Sequence, residues 1–171
     1  MNLPSFIATV VLVTASGALF PGPMFFAAVA HGVKSGARGG LFFSVGHTLV
    51  EFPLVILLAL GLLTVTNQPV VQLSTKVAGG LALLVFGVLQ IRGFLKSKVS
   101  ERDSRGIASR NPILLGLVFT GLNPFFIVWW LTEGGDLILD ALRLASLAGV
   151  LVMYVSHVWM DYAWLAAVAH L

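Results

Sequence analysis

The chain has 171 residues, 58% of them hydrophobic and only 10% charged, with a net charge of +3. A soluble domain carries roughly 25% charged residues, so too few charges are present here to solvate a globular surface. The absence of cysteine excludes disulfides, thiolate nucleophiles and zinc–thiolate sites, and the gathering of basic residues in two loops points to orientation in a membrane rather than to nucleic acid.

Five apolar segments follow one another, each long enough to approach the roughly 20 residues that a membrane helix needs. The first spans about 3–30 and is broken by Pro21-Gly22-Pro23. Its apolar start, Phe6 to Val13, imitates a signal peptide, but no Lys or Arg precedes Lys34, so it reads as a membrane helix. The second spans about 39–65, the third 75–95, the fourth 113–131 and the fifth 144–171. Continuous runs of this length exclude a barrel, whose strands alternate over about ten residues. The expected fold is all-α, a polytopic helical bundle.

The loops set the orientation. Lys34, Arg38, Arg92, Lys96, Lys98, Arg102, Arg105 and Arg110 fall on one side, and Lys76 and Arg143 on the other. The loop before the fifth segment carries Glu133, Asp136 and Asp140. Eight basic residues against two place the 96–112 loop in the cytoplasm and the N-terminus outside, in the plasma membrane.

Segments two and five repeat a motif. His47-Thr48-Leu49-Val50-Glu51-Phe52 and His157-Val158-Trp159-Met160-Asp161-Tyr162 both read His, three residues, acid, aromatic, 110 residues apart. Ser44 and Tyr154 each stand three residues before the His. Gly17 to Phe26 and Gly121 to Phe126 share a glycine, a proline break and Phe-Phe. A duplication then relates 1–95 to 113–171 across the 96–112 loop. Three helices per half is an odd number, so the halves must be inverted, which is a signature of secondary transporters. The expected architecture is an inverted 3+3 repeat in which the partner of the third segment, the sixth helix, is missing.

An ionised residue at the centre of a membrane helix costs roughly 2.5–3.5 kcal/mol on insertion scales and is seldom kept without function. His47 with Glu51, and His157 with Asp161, share a face one turn apart. The two stripes must face the bundle interior. Burial and a neighbouring imidazolium pull a carboxylate's proton affinity in opposite directions, which suits proton exchange. The rival role is interhelical glue. Pro21, Pro23 and Pro124 free the carbonyls of Gly17, Leu19 and Thr120, and Asn123 can donate to a carbonyl or to a carboxylate. The half-helix after Pro23 offers its N-terminus to an anionic group. Pro53 reads as a kink. The glycines read as packing positions, and Trp129, Trp130, Trp159 and Trp164 as interface anchors or packing.

Gly17 to Pro23, the Gly36/Gly40 loop, Gly46-His47 with Glu51, and Asn123-Pro124 resemble the L-lysine exporter (LysE) family of amino-acid exporters. The stretch Gly46 to Leu54 is most similar to its prokaryotic, archaeal-like branch. The resemblance covers nearly the whole chain. It implies a six-helix, proton-driven exporter of amino acids or similar small metabolites, with Pro21, Gly22, Pro23, Asn123 and Pro124 lining the substrate path. Two departures stand out: Met24 follows Pro-Gly-Pro where many relatives carry Asn, and the sixth helix is absent. The expected partners are a small-molecule substrate and the lipid bilayer, with a homo-oligomer left open; no enzyme activity, cofactor or resident metal is expected. Other readings remain: two His and two acids suit export of a divalent metal, and a non-transporting structural subunit is the plainest. An intramembrane hydrolase would want a serine or metal constellation that the paired motifs match poorly.

Overall fold

Asparagine and proline write the helix starts of this chain. In a computed structural model, which describes residues 2–65 and 110–171 together with positions 77, 81, 85, 88 and 92, three helices open behind an Asn N-cap with Pro in the first two positions. An Asn side chain satisfies one of the orphan N–H groups at a helix start, and Pro costs nothing where no intrahelical bond is made. Asn2 Oδ1 accepts from Ser5 N at 3.0 Å and opens α1, Leu3–Ala18. Pro23 opens α2, Pro23–Val65. Asn111 Oδ1 accepts from Ile113 N at 2.9 Å and opens α3, Pro112–Gly121. Asn123 Oδ1 accepts from Phe125 N at 3.1 Å and opens α4, Pro124–Leu131. The chain ends in α5, Glu133–His170. No strand occurs among the described residues.

The two long helices are each divided. At Gly36 the backbone takes φ 56°, ψ −153°, separating 23–35 from 37–65. At Ser146 it takes φ 54°, ψ −141°, separating 133–144 from 147–170. What the sequence suggests is a loop over 31–38 is therefore a turn at one glycine, flanked by exposed Lys34 and Arg38. The acidic stretch expected as a loop is helical instead. Glu133 and Asp136 sit in its first turn, where the helix dipole favours anions, and Leu137, Ile138, Leu139 and Leu142 are buried behind them. Pro53 stays inside α2. The carbonyls freed by Pro21 and Pro124 are taken up by tight turns: Phe20 N donates to Gly17 O at 3.4 Å, and Asn123 N to Thr120 O at 3.1 Å. Most of the third apolar segment, the glycines Gly79, Gly80 and Gly87, and the basic residues of the 96–109 loop lie outside the described residues.

Helix α2 packs against α3 and α5, and α1 against α5. Small residues let these backbones meet, as membrane helices require in the absence of a hydrophobic drive between them. A Cβ on Gly46 would strike the Ile113 carbonyl of α3, and one on Gly116 would strike the Phe43 carbonyl of α2. Gly40 lies in the same way against Leu165 of α5. The polarity is inverted relative to a soluble protein. Leu12, Val33 and Leu122 are 75%, 88% and 78% exposed, whereas Glu51 is 1% exposed and Thr14, Ser44, Thr120, His157 and Asp161 are buried with it. Two stretches, Met24–Leu62 within α2 and Pro124–His170 across α4 and α5, are long and apolar enough to cross a bilayer. This is a helical membrane protein.

Ser146 holds a conformation that suits glycine, and such a residue stores roughly 1–3 kcal/mol of strain. Ser146→Gly is expected to stabilise the purified protein by about 1 kcal/mol, after the entropy lost to glycine, while Gly36→Ala destabilises it by at least that much. Thermal unfolding in detergent measures both. An unchanged or lowered midpoint for Ser146→Gly would contradict the strain.

Candidate functional site

The polar stripe of α2 and that of α5 face each other because Gly40 brings the two backbones together one to three turns away. The two His–acid pairs expected as separate sites therefore merge into one cluster. Glu51 lies at its centre. Its Oε1 accepts from His47 Nε2 at 2.9 Å, His157 Nε2 at 3.1 Å and Trp130 Nε1 at 3.2 Å, and its Oε2 accepts from Tyr154 OH at 3.1 Å. A carboxylate offers about four acceptor sites, so this one is saturated by donors from three helices. Asp161 differs. Its Oδ2 lies 3.4 Å from His157 Nε2 and 3.9 Å from His47 Nε2, is buried, and makes no hydrogen bond among the described residues. His157 thus bonds the acid of the other stripe, not the acid one turn along its own helix.

The far side of each imidazole is held by a buried threonine. His47 Nδ1 lies 2.9 Å from Thr120 Oγ1 of α3, and His157 Nδ1 lies 2.9 Å from Thr14 Oγ1 of α1. Each ring nitrogen therefore has a fixed direction: Nδ1 toward a hydroxyl, Nε2 toward the carboxylates. Ser44 and Thr48, the other members of the α2 stripe, tie helices instead. Ser44 Oγ donates to the Asp161 carbonyl at 3.3 Å, and Thr48 Oγ1 to Tyr162 OH at 3.2 Å.

The cluster opens on a cavity of about 80 Å³, which the proline breaks also reach. Gly22 and Asn123 line it, with Met24, Phe25, Trp129, Trp130 and Trp164. Phe20 and Phe125, one from each break, stack at 4.7 Å on its wall. Of the residues that the sequence marks for a substrate path, Gly22 and Asn123 meet the cavity. Pro21 and Pro124 stand exposed at the breaks, and Pro23 opens α2. Met24 fills its place with a thioether, 3.6 Å from Thr120 Oγ1.

Four residues at the site escape a reading of the sequence. Thr14 and Thr120 carry no hydropathy signal, although each precedes a proline break. Trp130 is 1% exposed and bonds Glu51, so it is no interface anchor; Trp159, half exposed with Nε1 on the Ser156 carbonyl, has the character expected of one. Trp164 buries Nε1 without a hydrogen-bond partner among the described residues. A polar atom buried unpaired costs about 1–3 kcal/mol, so Asp161 Oδ2 and Trp164 Nε1, both on residues lining the cavity, mark it as a place for a ligand.

Neither a curated protein nor a solved structure matches the chain. The family description of the LysE type translocators matches residues 15–171, which takes in both proline breaks, both His–acid pairs and the whole cavity. The chain belongs to the LysE type translocator family.

Proposed function

We propose that this translocator is a secondary-active exporter of amino acids or similar small metabolites in the plasma membrane, coupled to protons through His47, Glu51, His157 and Asp161. The observation that carries the reading is the shared cavity: the ionisable cluster and both helix breaks open on one space in the bundle interior. A solute there is in contact with the groups that would exchange protons, which is what coupling requires. Burial of these groups away from lipid fits the rule that intramembrane ionisable residues mark ion and substrate pathways.

Cycling by movement of one inverted half, 1–95, against the other, 113–171, is supported by matched geometry. Gly36 and Ser146 share an unusual backbone conformation 110 residues apart, and the same offset relates His47 to His157 and Glu51 to Asp161. The hydroxyl contacts cross between the halves: Thr120 holds His47 and Thr14 holds His157, both at 2.9 Å. Exposed Lys34 and Arg38 beside Gly36 join the other basic residues in favouring a cytoplasmic 96–112 loop and an outside N-terminus.

The cargo is small. At roughly 10–15 Å³ per water-sized group, a cavity of about 80 Å³ takes about half a dozen such groups, the scale of a compact amino acid. Its polar wall suits a carboxylate. Among the described residues Trp164 Nε1 is an unused donor and Asn123, which spends its Oδ1 on Phe125 N, keeps its amide N–H groups, and α2 and α4 both start at the breaks with the positive ends of their dipoles there.

Liposome efflux across a panel of amino acids, with and without an imposed pH gradient, tests the function. Efflux is expected for at least one small amino acid and is expected to rise with the gradient. Glu51→Gln and Asp161→Asn should abolish the gradient-driven component while the protein still inserts; normal driven efflux in both would remove proton coupling. Trp164→Phe and Asn123→Ala each delete a donor to a charged group, worth about 1.5–3 kcal/mol, so the half-saturating concentration should rise about tenfold or more in each. An unchanged value would remove them from the solute's path.

A further inference from the structure

We propose that His47, His157, Glu51 and Asp161 form a binding site for one divalent first-row transition cation such as Zn²⁺, Co²⁺ or Ni²⁺. The inference goes beyond the exporter reading, and it concerns the same four residues, whose protons a bound cation would displace.

The ligand atoms are already gathered. His47, Glu51 and Asp161 each offer an atom, all within 4.8 Å of one another. His157 Nε2 adds a fourth, 3.1 Å from Glu51 Oε1 and 3.4 Å from Asp161 Oδ2. Bonds of about 2.0–2.1 Å in a tetrahedral site imply ligand–ligand edges of about 3.3–3.4 Å. Four of the six edges, the N···O separations of 2.9, 3.1, 3.4 and 3.9 Å, bracket that value.

Two further observations point to a ligand here. Asp161 Oδ2 is buried, faces both Nε2 atoms and has no hydrogen-bond partner among the described residues. And both imidazoles are oriented from behind. A metal-binding histidine usually donates its other ring N–H to an oxygen, which fixes the tautomer and directs the free lone pair to the metal. Thr14 and Thr120, both buried, stand 2.9 Å from each Nδ1, so that a cation binding at Nε2 would shift each ring proton from Nε2, where Glu51 accepts it, to Nδ1, where the hydroxyl would. Trp130 Nε1 and Tyr154 OH brace Glu51 in the same role.

The donor set defines the class of cation. Two imidazole nitrogens with two carboxylate oxygens and no thiolate suit borderline divalent ions; hard Mg²⁺ or Ca²⁺ would want an all-oxygen shell, and soft Cu⁺ a sulfur one. Two carboxylates against a 2+ ion leave no net charge, which a membrane interior demands. The cavity supplies the route in.

The test titrates CoCl₂ into the full chain, purified in detergent with a tag free of histidine, and follows the visible absorption of tetrahedral Co²⁺. The expected result is a saturable band at one Co²⁺ per chain, bleached by ZnCl₂. Asp161→Asn, which keeps shape, and His157→Ala should each weaken binding about tenfold or more, whereas His31→Ala and His170→Ala should leave it unchanged. Circular dichroism of the metal-free variants checks their fold. Should either cluster variant fail to fold, a Zn²⁺-induced rise in the wild-type melting temperature that survives His31→Ala and His170→Ala supports the site, and no rise overturns it. No saturable tetrahedral band from folded wild type, or an undiminished band in folded Asp161→Asn, also overturns it. Amino-acid efflux without added metal is a separate readout, so the failure of one proposal is distinct from the failure of the other.

Discussion

A carboxylate inside a membrane protein must be surrounded by donors, and in this chain the donors to Glu51 come from most of the fold. His47 reaches it along α2, Trp130 from α4, and Tyr154 and His157 from α5. The two histidines are in turn held by Thr120 of α3 and Thr14 of α1. All five described helices therefore meet in one hydrogen-bonded network. In a low dielectric such a network is strong when complete and costly when broken, so it fixes which helix faces which.

The apolar packing follows from that constraint. Lipid tails are as apolar as leucine, so burying Leu or Val gains little, and Leu12, Val33 and Leu122 are left outward while others pack inside. Close approach is arranged by glycines instead, with Gly46 and Gly116 reciprocally seated on the neighbouring backbone between α2 and α3. Contact this tight near the cluster, set against the breaks at 19–22 and 122–123, leaves the cavity between them. Its walls are rigid aromatics, and its polar features come from the helix starts and the cluster.

Much of this was legible in the residues, and the remainder was not for identifiable reasons. Ionisable side chains are so rare in apolar segments that His47, Glu51, His157 and Asp161 stood out at once, and proline marked both breaks. Periodicity tells which residues share a face but not which face they will meet, so one merged cluster was read as two pairs. The stretch from Glu133 to Asp140 reads as a loop because its acids lower the local hydropathy, although acids in a first turn favour a helix. In the sequence Gly36 reads as a packing residue, while its positive φ is a property of the turn. Thr14 and Thr120 were invisible because a threonine in a membrane helix is unremarkable until its partner is known.

The threonine contacts have a mechanical consequence. Each imidazole is gripped between a hydroxyl on one side and a carboxylate oxygen on the other, and the hydroxyl belongs to a helix distant in sequence. Neither ring can swing without letting go of both. The contact to Thr14 joins α1 to α5 and the contact to Thr120 joins α3 to α2, and both rings bond the same Oε1 of Glu51. Both rings are tied to one oxygen, so a displacement at either hydroxyl contact would reach the other ring through Glu51.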